Sequence, residues 1–100
     1  MITGGCVYII SNRYKTTLYV GVTSDLIKRI QEHQNKVFVK SFSAKYNLNL
    51  LLYYETYPTL NEAILREKEL KKWRRSKKEN LINSKNSTWY DLWEKEVKFW

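Results

Sequence analysis

Two runs of β-branched and aromatic residues, Val7 to Ser11 and Thr17 to Thr23, flank the short polar spacer NRYKT. A spacer of that length suits a hairpin loop, so the runs are expected to pair antiparallel. Alternation along each strand puts Val7 and Ile9 on one side and Tyr8 and Ile10 on the other. Leu18, Val20 and Val22 likewise oppose Tyr19 and Gly21. Tyr8 and Tyr19 are therefore candidates for one sheet face. Gly21, set between strand formers, implies a close approach by another backbone or a ligand, where a side chain would clash.

The hairpin leads into a helix. Thr23 or Ser24 is a candidate cap, with Asp25 in the first turn favouring the positive end of the dipole. Leu26, Ile27 and Ile30 form its apolar stripe, and Arg29 and His33, four apart, share an adjacent edge. Residues 35–47 are mostly polar, with Phe38, Phe42 and Tyr46 as anchors, and suit a loop or a broken helix. Leu48 to Tyr57 reads as a third strand ended by Pro58. Thr59 to Glu62 matches a capping box, opening a helix to about Arg75 with Leu60, Ala63, Ile64 and Leu70 as its stripe. Ser76 to Glu79 matches a second box, starting a shorter helix. Trp89, Leu92, Trp93, Val97 and Trp100 recur at helical spacing, so the tail is expected to be a helix laid over the sheet or the other helices.

These elements describe an α+β chain of one domain over residues 1–100. A three-stranded antiparallel sheet is flanked by helices in the order β-β-α-β-α-α, with a C-terminal helical tail. The core spans about 5–83 and an aromatic segment 84–100. No apolar run approaches the roughly 20 residues of a bilayer span, and no basic segment followed by an apolar stretch marks a secretory signal. Cys6 is the only cysteine and His33 the only histidine, so neither a multi-cysteine zinc site nor a His-pair metal site is available. A lone cysteine fits a reducing cytoplasm and a small buried strand residue.

The net charge of +8 is unevenly spread. The segment KELKKWRRSKK carries Lys68, Lys71, Lys72, Arg74, Arg75, Lys77 and Lys78 against one glutamate. Such a strip is the footprint of a polyanion partner, with Trp73 as a stacking surface, or else a solvated helix end that keeps the protein soluble.

Glu67 falls inside an apolar helical stripe, where a carboxylate costs several kcal/mol of desolvation unless a partner compensates it. It reads either as a salt bridge, with Arg29 or a nearby lysine as the cation, or as an oxygen ligand for Mg²⁺, which keeps most of its waters and needs only one or two carboxylates. Arg29 reads as an exposed helix arginine or as a guanidinium fork for phosphoryl oxygens. His33 reads as a base, a phosphate donor or a partly buried packing residue. Tyr8 and Tyr19 are core-edge aromatics by default; beside a metal ion and an arginine, a tyrosine would lose its proton more readily than its reference value of about 10 implies.

Taken together, the order of these residues resembles the GIY-YIG nuclease family. Cys6-Val7-Tyr8 stands at the first motif and Tyr19-Val20-Gly21 at the second, followed by Arg29 and His33 on the first helix and Glu67 on the helix after the third strand. Asn80 lies near the position of an asparagine that assists the site in some relatives. The pattern extends to Ala63-x-x-Arg66-Glu67-Lys68 and the aromatic tail, and is most similar to small single-domain bacterial members; it also resembles the catalytic domain of the excinuclease nicking subunit. Two positions depart: Cys6 stands for the first glycine and Val20 for the isoleucine.

The resemblance implies a cytoplasmic DNA endonuclease that hydrolyses phosphodiester bonds with one Mg²⁺ or Mn²⁺ held mainly by Glu67. Tyr8 or Tyr19 would activate the attacking water, Arg29 would stabilise transition-state charge, His33 would assist, and Gly21 and Asn80 would support. The alternative is a nucleic-acid-binding module of the same fold with weak or no cleavage. A third reading makes the aromatic C-terminal segment a docking surface for a protein partner or a homodimer.

Overall fold

The computed structural model describes residues 4–35 and 47–100. The anchors Phe38, Phe42 and Tyr46 of the expected loop lie outside the described residues. The elements are β1 (Gly5–Ser11), β2 (Leu18–Thr23), α1 (Leu26–Gln34), β3 (Leu50–Tyr57), α2 (Leu60–Lys71), α3 (Arg75–Lys85), a single-turn α4 (Leu92–Lys95) and a 3₁₀ turn (Val97–Phe99). The sheet order is β2-β1-β3, antiparallel throughout, with an irregularity in the β1–β3 register between Ile9 and Ile10.

The hairpin is closed by Asn12. Its carboxamide oxygen accepts from the backbone N–H groups of Thr16 and Thr17, and its amide donates to the Thr16 hydroxyl. Lys15 takes the left-handed conformation that the turn requires, at φ 59°. The pairing sets Tyr8 opposite Gly21 and Ile10 opposite Tyr19.

Strand alternation produces two cores. Cys6, Tyr8 and Ile10 point toward Leu26 and Ile30 of α1 and toward Leu92, Trp93 and Val97 of the tail. Val7 and Ile9 point the other way, toward Ala63 and Leu70 of α2 and Ile82 of α3. Being covered on both sides, β1 is buried along its whole length.

Local signals were followed unevenly. Thr59 and Glu62 form the expected reciprocal capping box. Asp25, rather than Thr23 or Ser24, caps α1: its carboxylate accepts from the Lys28 N–H, and Thr23 instead receives the Asp25 N–H. Helix α2 ends at Lys71, short of Arg75. The second capping box does not form, because α3 begins at Arg75 with Arg74 as its cap and no side-chain cap bond. Arg75 binds Glu79 and donates to the backbone oxygens of Lys15 and Thr16, which fixes the start of α3 against the hairpin. Leu60, placed in the α2 stripe by its spacing, is 41% exposed.

The tail is two short pieces rather than one helix. Trp89 has a left-handed φ of 54°, and Asn86 reaches from before it to Leu52 O and Tyr90 O, while Asp91 accepts from the Leu51 N–H. These bonds tie the segment to β3. Leu92, Trp93 and Val97 are core residues, so the docking-surface reading fails for them; Tyr90, Phe99 and Trp100 are exposed. Trp93→Ala is expected to cost about 3–5 kcal/mol in urea denaturation. A loss below about 1 kcal/mol would mark the segment as an appendage rather than core.

Candidate active site

Tyr8 projects from β1 across β2 at the one position where β2 has no side chain. A Cβ built on Gly21 would lie 2.3 Å from both Cζ and the hydroxyl of Tyr8. The close approach inferred at Gly21 is therefore made by the ring of Tyr8, not by a backbone or a ligand. Passing over Gly21, the Tyr8 hydroxyl reaches Nε2 of His33 at 2.9 Å. The two rings meet edge to face with centroids 5.7 Å apart, and the Tyr19 ring lies 6.3 Å from the same imidazole. Strand alternation and the last turn of α1 thus bring Tyr8, Tyr19 and His33 together.

Burial favours the uncharged forms of Tyr8 and His33. Burial pushes the Tyr8 phenol above its usual value, and the charge and hydrogen bonding of Arg29 offset this only in part. Arg29 acts in the expected direction on the Tyr8 proton, but desolvation outweighs the arginine taken alone. His33 is held below the ordinary histidine value of about 6.5, first by burial and then by the Arg29 charge, with Glu32 opposing. Cys6 is packed in the core beneath α1, and burial raises its thiol to about 12, so it is an inert filler where the motif has glycine.

Arg29 pairs with Glu32 at 3.2 Å, not with Glu67. It also lines a polar cleft of about 320 Å³ formed with Thr23, Ser24, Asp25, Lys28 and Glu32. That pairing leaves its side chain 37% exposed, so the guanidinium is accessible from the cleft.

The partner of Glu67 is Lys71, one turn along α2, with Nζ 3.4 Å from Oε2. Lys71 in turn lies 5.6 Å from the centroid of the Tyr19 ring. Glu67 is therefore linked to the tyrosine–histidine group through Lys71 and Tyr19. Of the two cations offered for Glu67 by the sequence, Arg29 or a nearby lysine, the structure pairs it with the lysine, at the favourable i,i+4 spacing. Among the described residues no three His, Cys, Asp or Glu side chains cluster as a metal cage. A donor set of one carboxylate, its side chain 14% exposed, suits a hard ion that retains most of its waters.

The basic strip is partly committed to structure. Trp73 carries Lys77 over its ring at 4.1 Å and Arg66 at 5.1 Å, so it is not an open stacking surface. Arg75 is engaged with the hairpin, and Lys78 is half-buried. Lys68, Lys72 and Arg74 are exposed. Asn80 is exposed on α3.

Gly21→Ala is expected to lower stability by about 1–3 kcal/mol in urea denaturation, because the Tyr8 ring is pinned by His33 and has nowhere to retreat. An unchanged midpoint would mean that the ring is free to move. His33, as the single histidine, gives an unambiguous imidazole NMR signal. Its midpoint is expected below 6.5 and should rise in Arg29→Gln; a wild-type midpoint at or above 6.5 would contradict the burial. Because the folded value is the lower one, the stability it contributes is present above about pH 6.5 and is lost as pH falls through the folded midpoint.

The chain is similar to known proteins in family and in fold. The family model described as the GIY-YIG catalytic domain matches residues 4–80. A UPF0213 protein of Staphylococcus saprophyticus is 37% identical over 67 residues, which cover 67% of this chain and 80% of the relative. A UPF0213 protein of Bacillus pumilus is 36% identical over 66 residues, 66% of each chain. The solution NMR structure of a UPF0213 protein from Bacillus halodurans superposes with a TM-score of 0.56 at 25% identity, covering 93% of this chain and 97% of that one. With the motif residues gathered on one hairpin and its two neighbouring helices, and a family match across most of its length, the chain belongs to the GIY-YIG domain family.

Proposed function

We propose that this chain is a divalent-metal-dependent DNA endonuclease in which Glu67 holds Mg²⁺ or Mn²⁺, Arg29 binds the scissile phosphate, and Tyr8 with His33 removes the proton of the attacking water. The observation that carries the reading is the 2.9 Å hydrogen bond between the Tyr8 hydroxyl and Nε2 of His33, made within the electrostatic reach of Arg29.

A phenol raised by burial does not stand ready as a phenolate, so it needs an acceptor for its own proton. Neutral His33 supplies one in its Nδ1–H tautomer. As water gives its proton to the Tyr8 oxygen, Tyr8 passes its own to Nε2, and the water oxygen forms the new bond to phosphorus while the bond to the leaving oxygen breaks. Arg29, facing the polar cleft, exchanges its exposed pairing with Glu32 for a two-pronged contact with the phosphoryl oxygens, where charge develops. Glu67 would hold the divalent ion, which would supply Lewis-acid stabilisation of the charge that develops on the phosphoryl and leaving oxygens. Tyr19, with its ring against His33, holds the imidazole in place. Lys68, Lys72 and Arg74 are the exposed cations available to track the strand beyond the reacting phosphate. Asn80, exposed on α3, supports the substrate rather than the reacting atoms. The buried, reduced Cys6 suits a cytoplasmic setting.

Incubating the purified chain with Mg²⁺ and a panel of nicked, branched, single-stranded and supercoiled DNA tests the reading. Glu67→Ala and Arg29→Ala are expected to lower cleavage by about 10²-fold or more, and Tyr8→Phe to lower it comparably while preserving the fold. Cleavage retained in a contaminant-free Glu67→Ala preparation would remove the metal assignment. Salt-sensitive DNA binding without metal-dependent products would favour the binding-module alternative.

A further inference from the structure

Resting on the assignment of Glu67 as the metal ligand, we propose that Lys71 is a positioning residue whose ammonium occupies the ligand side of Glu67 until a divalent ion displaces it. Two independent contacts locate the ammonium: 3.4 Å from Oε2 of Glu67 and 5.6 Å from the centroid of the Tyr19 ring. It sits between the carboxylate and the aromatic that leads to His33.

The two partners differ in how firmly they are held. The Glu67 side chain is 14% exposed and that of Lys71 is 47% exposed. The carboxylate is therefore the fixed member and the lysine, on its flexible four-carbon stem, the one that leaves. At 3.4 Å the pair is looser than a charge-assisted hydrogen bond of about 2.7–2.9 Å. Glutamate one turn N-terminal to lysine is the favourable order on a helix, and the π face of Tyr19 gives the ammonium a second attraction.

A half-buried carboxylate facing solvent alone pays a desolvation penalty that a neighbouring cation offsets. Lys71 supplies that cation without metal, which holds the Glu67 side chain in position. A divalent ion at the same oxygens repels the ammonium at short range, so the two compete for one carboxylate. Lys71 thereby weakens metal binding in the resting protein and lets weakly held ions leave.

Mn²⁺ binding, read as free Mn²⁺ by electron paramagnetic resonance without DNA, tests this in the wild type and in Glu67→Gln, Lys71→Met and Lys71→Gln, with thermal melts run in parallel. Both Lys71 variants are expected to bind Mn²⁺ about two- to five-fold more tightly, the range of an exposed ion pair. Their melting points without metal should fall slightly or stay unchanged. If Glu67→Gln loses Mn²⁺ binding while both Lys71 variants bind as the wild type or more weakly, the proposal is overturned and the metal assignment stands. If Glu67→Gln binds Mn²⁺ as the wild type does, the metal assignment fails and this proposal with it.

Discussion

The rest of the structure depends on a strand that touches no solvent. β1 is buried over its full length, so its two faces have to be covered by different parts of the chain. α1 and the tail cover one face; α2 and α3 cover the other. Because the sheet has three strands with β1 in the middle, both hydrogen-bonding edges of β1 are occupied as well. The consecutive residues Cys6, Val7, Tyr8, Ile9 and Ile10 are all buried, so this one strand contributes to both cores.

That enclosure governs the chemistry available to Tyr8. Tyr8 lies almost wholly inside the fold, and its hydroxyl is hydrogen-bonded to His33. Both groups are held in their uncharged forms by the same desolvation, while the charges of the site, Arg29, Glu67 and Lys71, lie on helices toward its rim. A largely uncharged interior is thus bordered by charged helix faces.

Much of this was legible in the sequence, for identifiable reasons. Period-two alternation assigned Val7 to Ile10 of β1 and Leu18 to Val22 of β2 to their faces, because a strand has only two. The Thr59–Glu62 box formed because both its bonds are local to one helical turn. The Ser76–Glu79 box had equal local credentials but lost to a tertiary interaction: Arg75, bonded to the hairpin carbonyls, captures Glu79 and draws the helix start forward. At the start of α1, three adjacent capping residues competed, and sequence alone could not rank them. Trp73 read as an open platform because the turn between α2 and α3, which brings Arg66 from one helix and Lys77 from the next over its ring, is not visible as spacing. The candidate site was legible in its residue order through the family resemblance. Its internal contacts were not, since the Tyr8–His33 bond spans 25 positions and depends on how α1 returns to the sheet.

The packing of Tyr8 over Gly21 makes the two positions one evolutionary unit. Enlarging residue 21 is sterically compatible only with a smaller or displaced residue 8, and either change removes the hydroxyl from His33. Substitutions at these sites are therefore strongly epistatic. A variant that repairs the clash at 21 recovers the fold at the expense of the hydroxyl, so drift along that path leads to a folded domain without the Tyr8–His33 hydrogen bond. In such lineages the size of the residue at position 21 would serve as a marker of whether the phenol is still aimed at the imidazole.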